Sequence, residues 1–242
     1  MKKRRKKTRS QKIWGFLKFQ MILMLLVVAA VAYYYAGGYA AKVSAMKTEA
    51  VSMVSHSSKD TFRKSQTSIA YDISGKTLSV LKGEKDVYYI EYEDIPIYVK
   101  QAIISTEDKR FYKHKGIDYR GIMRAVVAMI QDGEVTQGGS TITQQLARTV
   151  FLSNERTWER KIEEMYIAVE LEKKYSKEEI LEFYLNNVYF ANGYYGIEAA
   201  AQGYFGTDVS HLSLSQMIYL CAIPNNPTLY NPLTHADKTQ AR

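Results

Sequence analysis

Residues 19–36 read FQMILMLLVVAAVAYYYA and carry no formal charge. No other feature of the chain limits its fold so strongly. Eighteen residues at 1.5 Å each span about 27 Å as a helix, close to the roughly 30 Å hydrocarbon core of a bilayer. Ahead of the stretch stand Lys2, Lys3, Arg4, Arg5, Lys6, Lys7, Arg9 and Lys12. Trp14 on one side and Tyr33, Tyr34 and Tyr35 on the other match the aromatic belts of membrane interfaces. The positive-inside bias puts the N-terminus in the cytoplasm and the remainder outside. A cleaved signal peptide is the competing reading. The apolar run is long for one, and Tyr33–Tyr35 are bulky where a peptidase wants small residues, although Ala36-Gly37-Gly38 keeps it open. An uncleaved single-pass anchor in the cell membrane is the preferred expectation.

The basic run also settles what the net charge of +8 means. Lys and Arg number 33 against 25 Asp and Glu, and those eight cations account for the whole excess. The body of the chain is balanced, so no nucleic-acid partner is expected. A lone cysteine, Cys221, excludes an internal disulfide framework and a multi-thiolate zinc site.

The expected organisation is a cytoplasmic basic tail at 1–18, a transmembrane helix at 19–39, a stalk at 40–66 and a catalytic domain at 67–242. TSIAYD, TLSVLKG and VYYIEY within 67–92 are short and β-prone, with a turn at Ser74-Gly75. Helices dominate beyond Asp94. Capping-box spacings mark helix starts at Thr141 with Gln144, Ser176 with Glu179 and Ser213 with Gln216. An amphipathic run covers Thr157 to Lys174. GIMRAVVAMI at 121–130 is apolar nearly all round, which predicts burial in the core or contact with lipid.

Three clusters could carry chemistry. Glu107-Asp108 end an apolar helix and precede a charged loop, a setting in which a carboxylate can be tuned as a general base; such runs are more often solvated surface. Gly138-Gly139 open a helix followed by Ser140, Thr141, Gln144, Gln145 and Arg148, where free N–H groups suit an anion; an ordinary capped helix is the plain alternative. Arg156, Arg160 and Glu164 recur at spacings of four with Lys161 beside them. Cations so aligned could hold a diphosphate, and surface pairing is the plain alternative.

Taken in order, EDKRFYKHKG at 107–116, GGSTITQQ at 138–145, RKIEE at 160–164 and KEEILEFYLN at 177–186 resemble the four motifs of the peptidoglycan glycosyltransferase domain, glycosyltransferase family 51, found in monofunctional transglycosylases and class A penicillin-binding proteins. The resemblance covers most of residues 90–235. It implies a mainly α, lysozyme-like domain with short β elements and a small membrane-facing jaw lobe, where GIMRAVVAMI would lie, preceded by one transmembrane helix. It implies polymerisation of lipid II into β-1,4-linked glycan strands, with inversion and release of polyprenyl diphosphate. By position, Glu107 resembles the general base and Glu164 the second catalytic glutamate on the diphosphate side. Asp108 and His114 would orient the base and shape its loop. With Phe111 they are counted among the substrate-binding positions, as are Ser140, Thr141, Gln144 and Gln145. Arg148, Arg156, Arg160 and Lys161 would be counter-charges to the diphosphate. Lys177, Tyr184 and Asn186 are read as structural support. A divalent cation, Mg or Mn, held by Glu164 is an option; no organic cofactor is implied. The implied partners are lipid II, the growing lipid-linked chain, membrane lipid and other cell wall synthesis or division proteins.

Two positions depart from the family pattern. Arg148 stands where Lys is commoner and presents a planar fork instead of a compact ammonium. Thr149 stands where Asn is common. The chain stops at Arg242, short of the usual domain end, so a truncated C-terminus is expected. A lytic muramidase or transglycosylase is the competing function. It would use a carboxylate in a similar cleft but needs no diphosphate clamp.

Overall fold

The computed structural model describes residues 9–63, 68–74, 77–81, 88–132, 138–153 and 155–242. It divides into two units, Met1–Met46 and Lys47–Arg242. The first is dominated by helix α1 (Arg9–Ala36). Within α1, Trp14–Ala36 is long and apolar enough to cross a membrane, and all 23 of its side chains are exposed. Such a helix spans about 34 Å. It stops at Gly37-Gly38. The Gly37 N–H bonds the Tyr33 carbonyl at 2.8 Å, and Gly38 takes a left-handed φ of +74°, which a Cβ would disfavour. Helix α2 (Tyr39–His56) follows.

The second unit is mainly α-helical, as the resemblance implied. From Lys47 onward the stretch read as a stalk supplies core: Ala50, Val54 and Phe62 are buried. Phe62 stacks on Phe183 with ring centroids 4.0 Å apart, and Tyr175 meets both rings edge-on. Lys174 donates to the carbonyls of Val54, Ser55 and Ser57 at 2.8, 2.9 and 2.5 Å, placing a cation on the carbonyl end of α2.

Strands β1 (Ser68–Tyr71) and β2 (Thr77–Leu81) form an antiparallel pair with an irregularity at Ala70/Tyr71. The turn leaving β1 is held by Asp72, whose carboxylate accepts from the Ser74 N–H at 2.8 Å. Gly75 lies outside the described residues. The third β-prone segment, VYYIEY, is not a strand over its described residues. The backbone of Ile90 pairs with a side chain instead: its N–H donates to Asn186 Oδ1 and its carbonyl accepts from Asn186 Nδ2, both at 2.9 Å. An amide group thus takes the place of a neighbouring strand.

Helices α3 (Ile97–Glu107), α4 (Tyr119–Asp132), α5 (Ile142–Phe151), α6 (Trp158–Lys174), α7 (Lys177–Asn187), α8 (Ile197–Phe205), α9 (Leu214–Ala222) and α10 (Ala236–Ala241) complete the unit. Pro96 is the N-cap of α3, just outside the helix, so its missing N–H costs nothing. All three predicted capping boxes are present, at Thr141, Ser176 and Ser213. Helix α7 lies at the centre, with Ile180, Leu181, Phe183, Tyr184 and Leu185 buried. It packs on α5, which packs on α6, while α3 packs on α9. In α4, by contrast, only Gly121 and Ala128 of the apolar run 121–130 are buried. Met123, Val126, Val127 and Ile130, at helical spacing along one stripe, are all exposed.

Candidate active site

Glu107 is the last residue of α3, and its side chain is 4% exposed. Its Oε2 accepts from Gln145 Nε2 at 3.0 Å. Its Oε1 is buried with no hydrogen-bond partner, and the Arg242 guanidinium lies 3.8 Å away. Burial pushes the Glu107 carboxyl above its ordinary value. Gln145, Arg242, Asn225 and Arg148 oppose that shift without cancelling it.

Two polar cavities flank this carboxyl. One, of about 500 Å³, is lined by Glu107 itself with Asp108, Lys109, Arg110, Arg124, Ser140, Thr141 and Arg242. The other, of about 770 Å³, is lined by Gln145, Arg148, Thr149, Arg156, Arg160, Tyr189 and Tyr195. Asn225 lines both, and the Glu107–Gln145 hydrogen bond joins a wall of one to a wall of the other. A third cavity, of about 410 Å³, is mostly apolar. Ile122, Val126 and Met129 of α4 face Met165 of α6 there, with Ser140, Gln144 and Lys161 at its polar side.

Asp108 is a brace more than a binding group. Its carboxylate contacts His114 Nε2 at 3.1 and 2.9 Å and accepts from the Ile142 N–H at 3.1 Å, tying the end of α3 to the first turn of α5. Thr141 caps that same helix. Its hydroxyl donates to the Gly116 carbonyl at 2.6 Å and accepts from the Gln144 N–H at 3.1 Å, while Gln144 Oε1 accepts from the Thr141 N–H at 3.0 Å. Gly116 is fixed by both φ and space: at +89°, a Cβ would sit 2.7 Å from the Ala168 carbonyl oxygen.

Three expected site residues line none of the three cavities. Phe111 is fully buried, with the Lys177 ammonium 4.3 Å from its ring centroid. His114 is buried against Asp108. These two, expected to contact substrate, hold the loop from within. Glu164 is fully buried as well and does not face a groove shared with Glu107. Its two oxygens accept from Arg160 Nη1 at 2.6 Å and from Lys161 Nζ, and Lys161 also donates to Ser140 Oγ at 2.8 Å. The sequence places Glu164 beside its cations correctly; packing puts it behind them. It positions Arg160 in the larger polar cavity and Lys161 in the apolar one.

That arrangement bears on the divalent cation expected at Glu164. Both carboxylate oxygens are already taken by cations, and among the described residues no group of three His, Cys, Asp or Glu side chains converges to hold a metal. The donor set therefore does not fit a divalent ion at Glu164. Positive charge here comes from side chains.

Asn225 and Arg242 were not expected at the site. Arg242 Nη1 donates to Asn225 Oδ1 at 2.9 Å, and both stand beside Glu107. Neither falls in a motif with Glu107, and only the tertiary fold brings them there.

A family model described as Transglycosylase matches residues 74–242. Penicillin-binding protein 4 of Bacillus subtilis is 46% identical over 178 residues, 73% of this chain and 28% of that protein. Penicillin-binding protein 1A of Aquifex aeolicus is 44% identical over 177 residues, 73% of this chain and 24% of that protein. Penicillin-binding protein 1A of Escherichia coli is 46% identical over 160 residues, 66% of this chain and 19% of that protein. The chain thus spans less than a third of the length of these relatives.

Proposed function

The chain belongs to the transglycosylase family, and from that premise we propose that it is a peptidoglycan glycosyltransferase polymerising lipid II in cell wall synthesis, with Glu107 as general base. The observation that carries the reading is the state of Glu107: a buried carboxyl, shifted upward, with one oxygen held by Gln145 and the other free of any hydrogen bond, between two cation-lined cavities. A general base works best when its pKa lies nearer the working pH than an ordinary carboxylate's.

The acceptor lipid II occupies the cavity containing Glu107. Its sugar 4-hydroxyl gives its proton to Glu107 Oε1 as its oxygen bonds to the anomeric carbon of the donor strand. The bond from that carbon to the donor's diphosphate breaks, the α linkage becomes β, and polyprenyl diphosphate leaves with the bonding electrons. Arg148, Arg156 and Arg160, in the larger polar cavity, meet the charge that develops on the diphosphate. Lys161, tied to Ser140 and Glu164, adds a cation where the apolar cavity begins, and the lipid tail follows that cavity between α4 and α6. Helix α1 anchors the chain in the membrane, with the N-terminus cytoplasmic and the catalytic domain outside.

The test is a gel of glycan strands made from purified lipid II in detergent. The parent chain yields polymer, and Glu107→Gln yields none. Polymerisation by that variant at the parent's rate would overturn the assignment of the base. Shortening of added glycan strands by the parent would favour the lytic reading.

A further inference from the structure

We infer that Tyr184 is a positioning residue for catalysis, acting through Gln145 to fix which oxygen of Glu107 is free to take the substrate's proton. The inference rests on the reading of Glu107 as base and concerns a residue that its place in the fourth motif gives only as scaffold.

Tyr184 lies in α7, fully buried, and its hydroxyl donates to Gln145 Oε1 at 3.1 Å. Gln145 Nε2 in turn donates to Glu107 Oε2 at 3.0 Å. The chain of bonds has one self-consistent direction while Glu107 is ionised. A carboxylate only accepts, so the amide must present its N–H₂ to Glu107 and its carbonyl to Tyr184. A phenol can supply the proton that carbonyl needs. The Tyr184 hydroxyl keeps its proton throughout the working range, because burial and the nearby Glu107 charge raise its pKa well above the ordinary value. With Oε2 occupied, Oε1 of Glu107 is the oxygen left without a hydrogen-bond partner, with Arg242 3.8 Å from it.

Without the hydroxyl, Gln145 Oε1 is a buried carbonyl lacking a donor. The amide can then turn over, presenting oxygen to Glu107. That contact is favourable only when Glu107 carries a proton. Losing Tyr184's hydroxyl should therefore favour protonated Glu107 and starve the reaction of base at low pH. The other groups near Glu107 are Arg242, Arg148, Asp108 and the Cys221 thiol, whose own pKa burial raises to about 12. None of them is removed by a change at Tyr184, so the shift is specific to the relay.

The experiment measures lipid II turnover against pH for the full chain, Tyr184→Phe, Gln145→Ala, the double variant and Glu107→Gln, with thermal melts alongside. Tyr184→Phe keeps the ring in the core. Its acid limb should move upward by roughly half to one pH unit, so that kcat falls about three- to tenfold along that limb and little on the plateau above it, with KM little changed. In the Gln145→Ala background the same substitution should have no further effect, because the relay is already cut. A Tyr184→Phe profile superimposable on the parent's would overturn the inference, and so would an effect that adds in full to that of Gln145→Ala. Glu107→Gln separates the two levels. If it is inactive while Tyr184→Phe is silent, the relay alone fails; if it stays active, the reading of the base fails and the relay with it.

Discussion

The surroundings of Glu107 resist its charge. Its pKa in the fold lies above the ordinary carboxylate value, chiefly through burial. Below the ordinary value both folded and unfolded chains hold the proton, and the group costs nothing. As pH climbs toward the native value, the unfolded chain ionises first, and stability is lost. Glu107→Gln removes that cost. The variant should lose at least about 100-fold in polymerisation, the usual worth of a positioned base. It should also melt higher than the parent at pH 7 to 8, with the advantage vanishing toward pH 4. A glutamine variant that melts lower than the parent at pH 8 would contradict the buried, upward-shifted carboxyl. Glu164 is a different case, a fully buried carboxylate with a cation on each oxygen. Glu164→Ala leaves Arg160 and Lys161 without their counter-charge and should cost roughly 3 kcal/mol, at the low end of buried pairs because Lys161 is partly solvated. Denaturant unfolding reads that loss, and unchanged stability would count against Glu164 as the post that holds the two cations.

Elements show where sequence reading succeeds and where it stops. Helix starts were legible because a capping box is local: Thr141 with Gln144, Ser176 with Glu179 and Ser213 with Gln216 lie three residues apart and need no tertiary information. The motif residues were legible for the same reason, as short strings. What those residues face was not. Phe111 and Glu164 sit in motifs yet are sealed inside, while Asn225 and Arg242 reach Glu107 from distant parts of the chain. Segment 87–92 failed for a related reason. Its composition is β-prone, but the partner that satisfies Ile90 is the side chain of Asn186, 96 residues away, which no local propensity reveals. Asn186→Ala follows from this contact. It strips the Ile90 N–H and carbonyl of their partners, and with them the bond to the Glu182 carbonyl at 2.8 Å. The expected cost is about 2–3 kcal/mol, read by chemical denaturation. A loss within 0.5 kcal/mol, the rough range of an ordinary surface change, would mean that the pairing does not hold the segment in place.

On the scale of the molecule, two separate apolar features ask for a membrane. One is α1, exposed along its whole apolar length. The other is α4, whose stripe of Met123, Val126, Val127 and Ile130 stays uncovered. As a membrane contact the second would be the weaker: a single amphipathic helix gains only the apolar area it buries in the interface, so its binding would be reversible, whereas a spanning helix is effectively permanent. Removal of residues 1–40 separates them. The shortened protein should still sediment with phosphatidylglycerol vesicles, less completely than the full chain, and should retain part of its activity on lipid II. Met123→Ser with Ile130→Ser, in that shortened background, should abolish sedimentation, because both exchanges remove apolar area from the stripe and neither disturbs the two buried positions of the run. If the shortened protein stays entirely in the supernatant before those changes, α4 is not a membrane contact, and its exposed stripe needs another explanation.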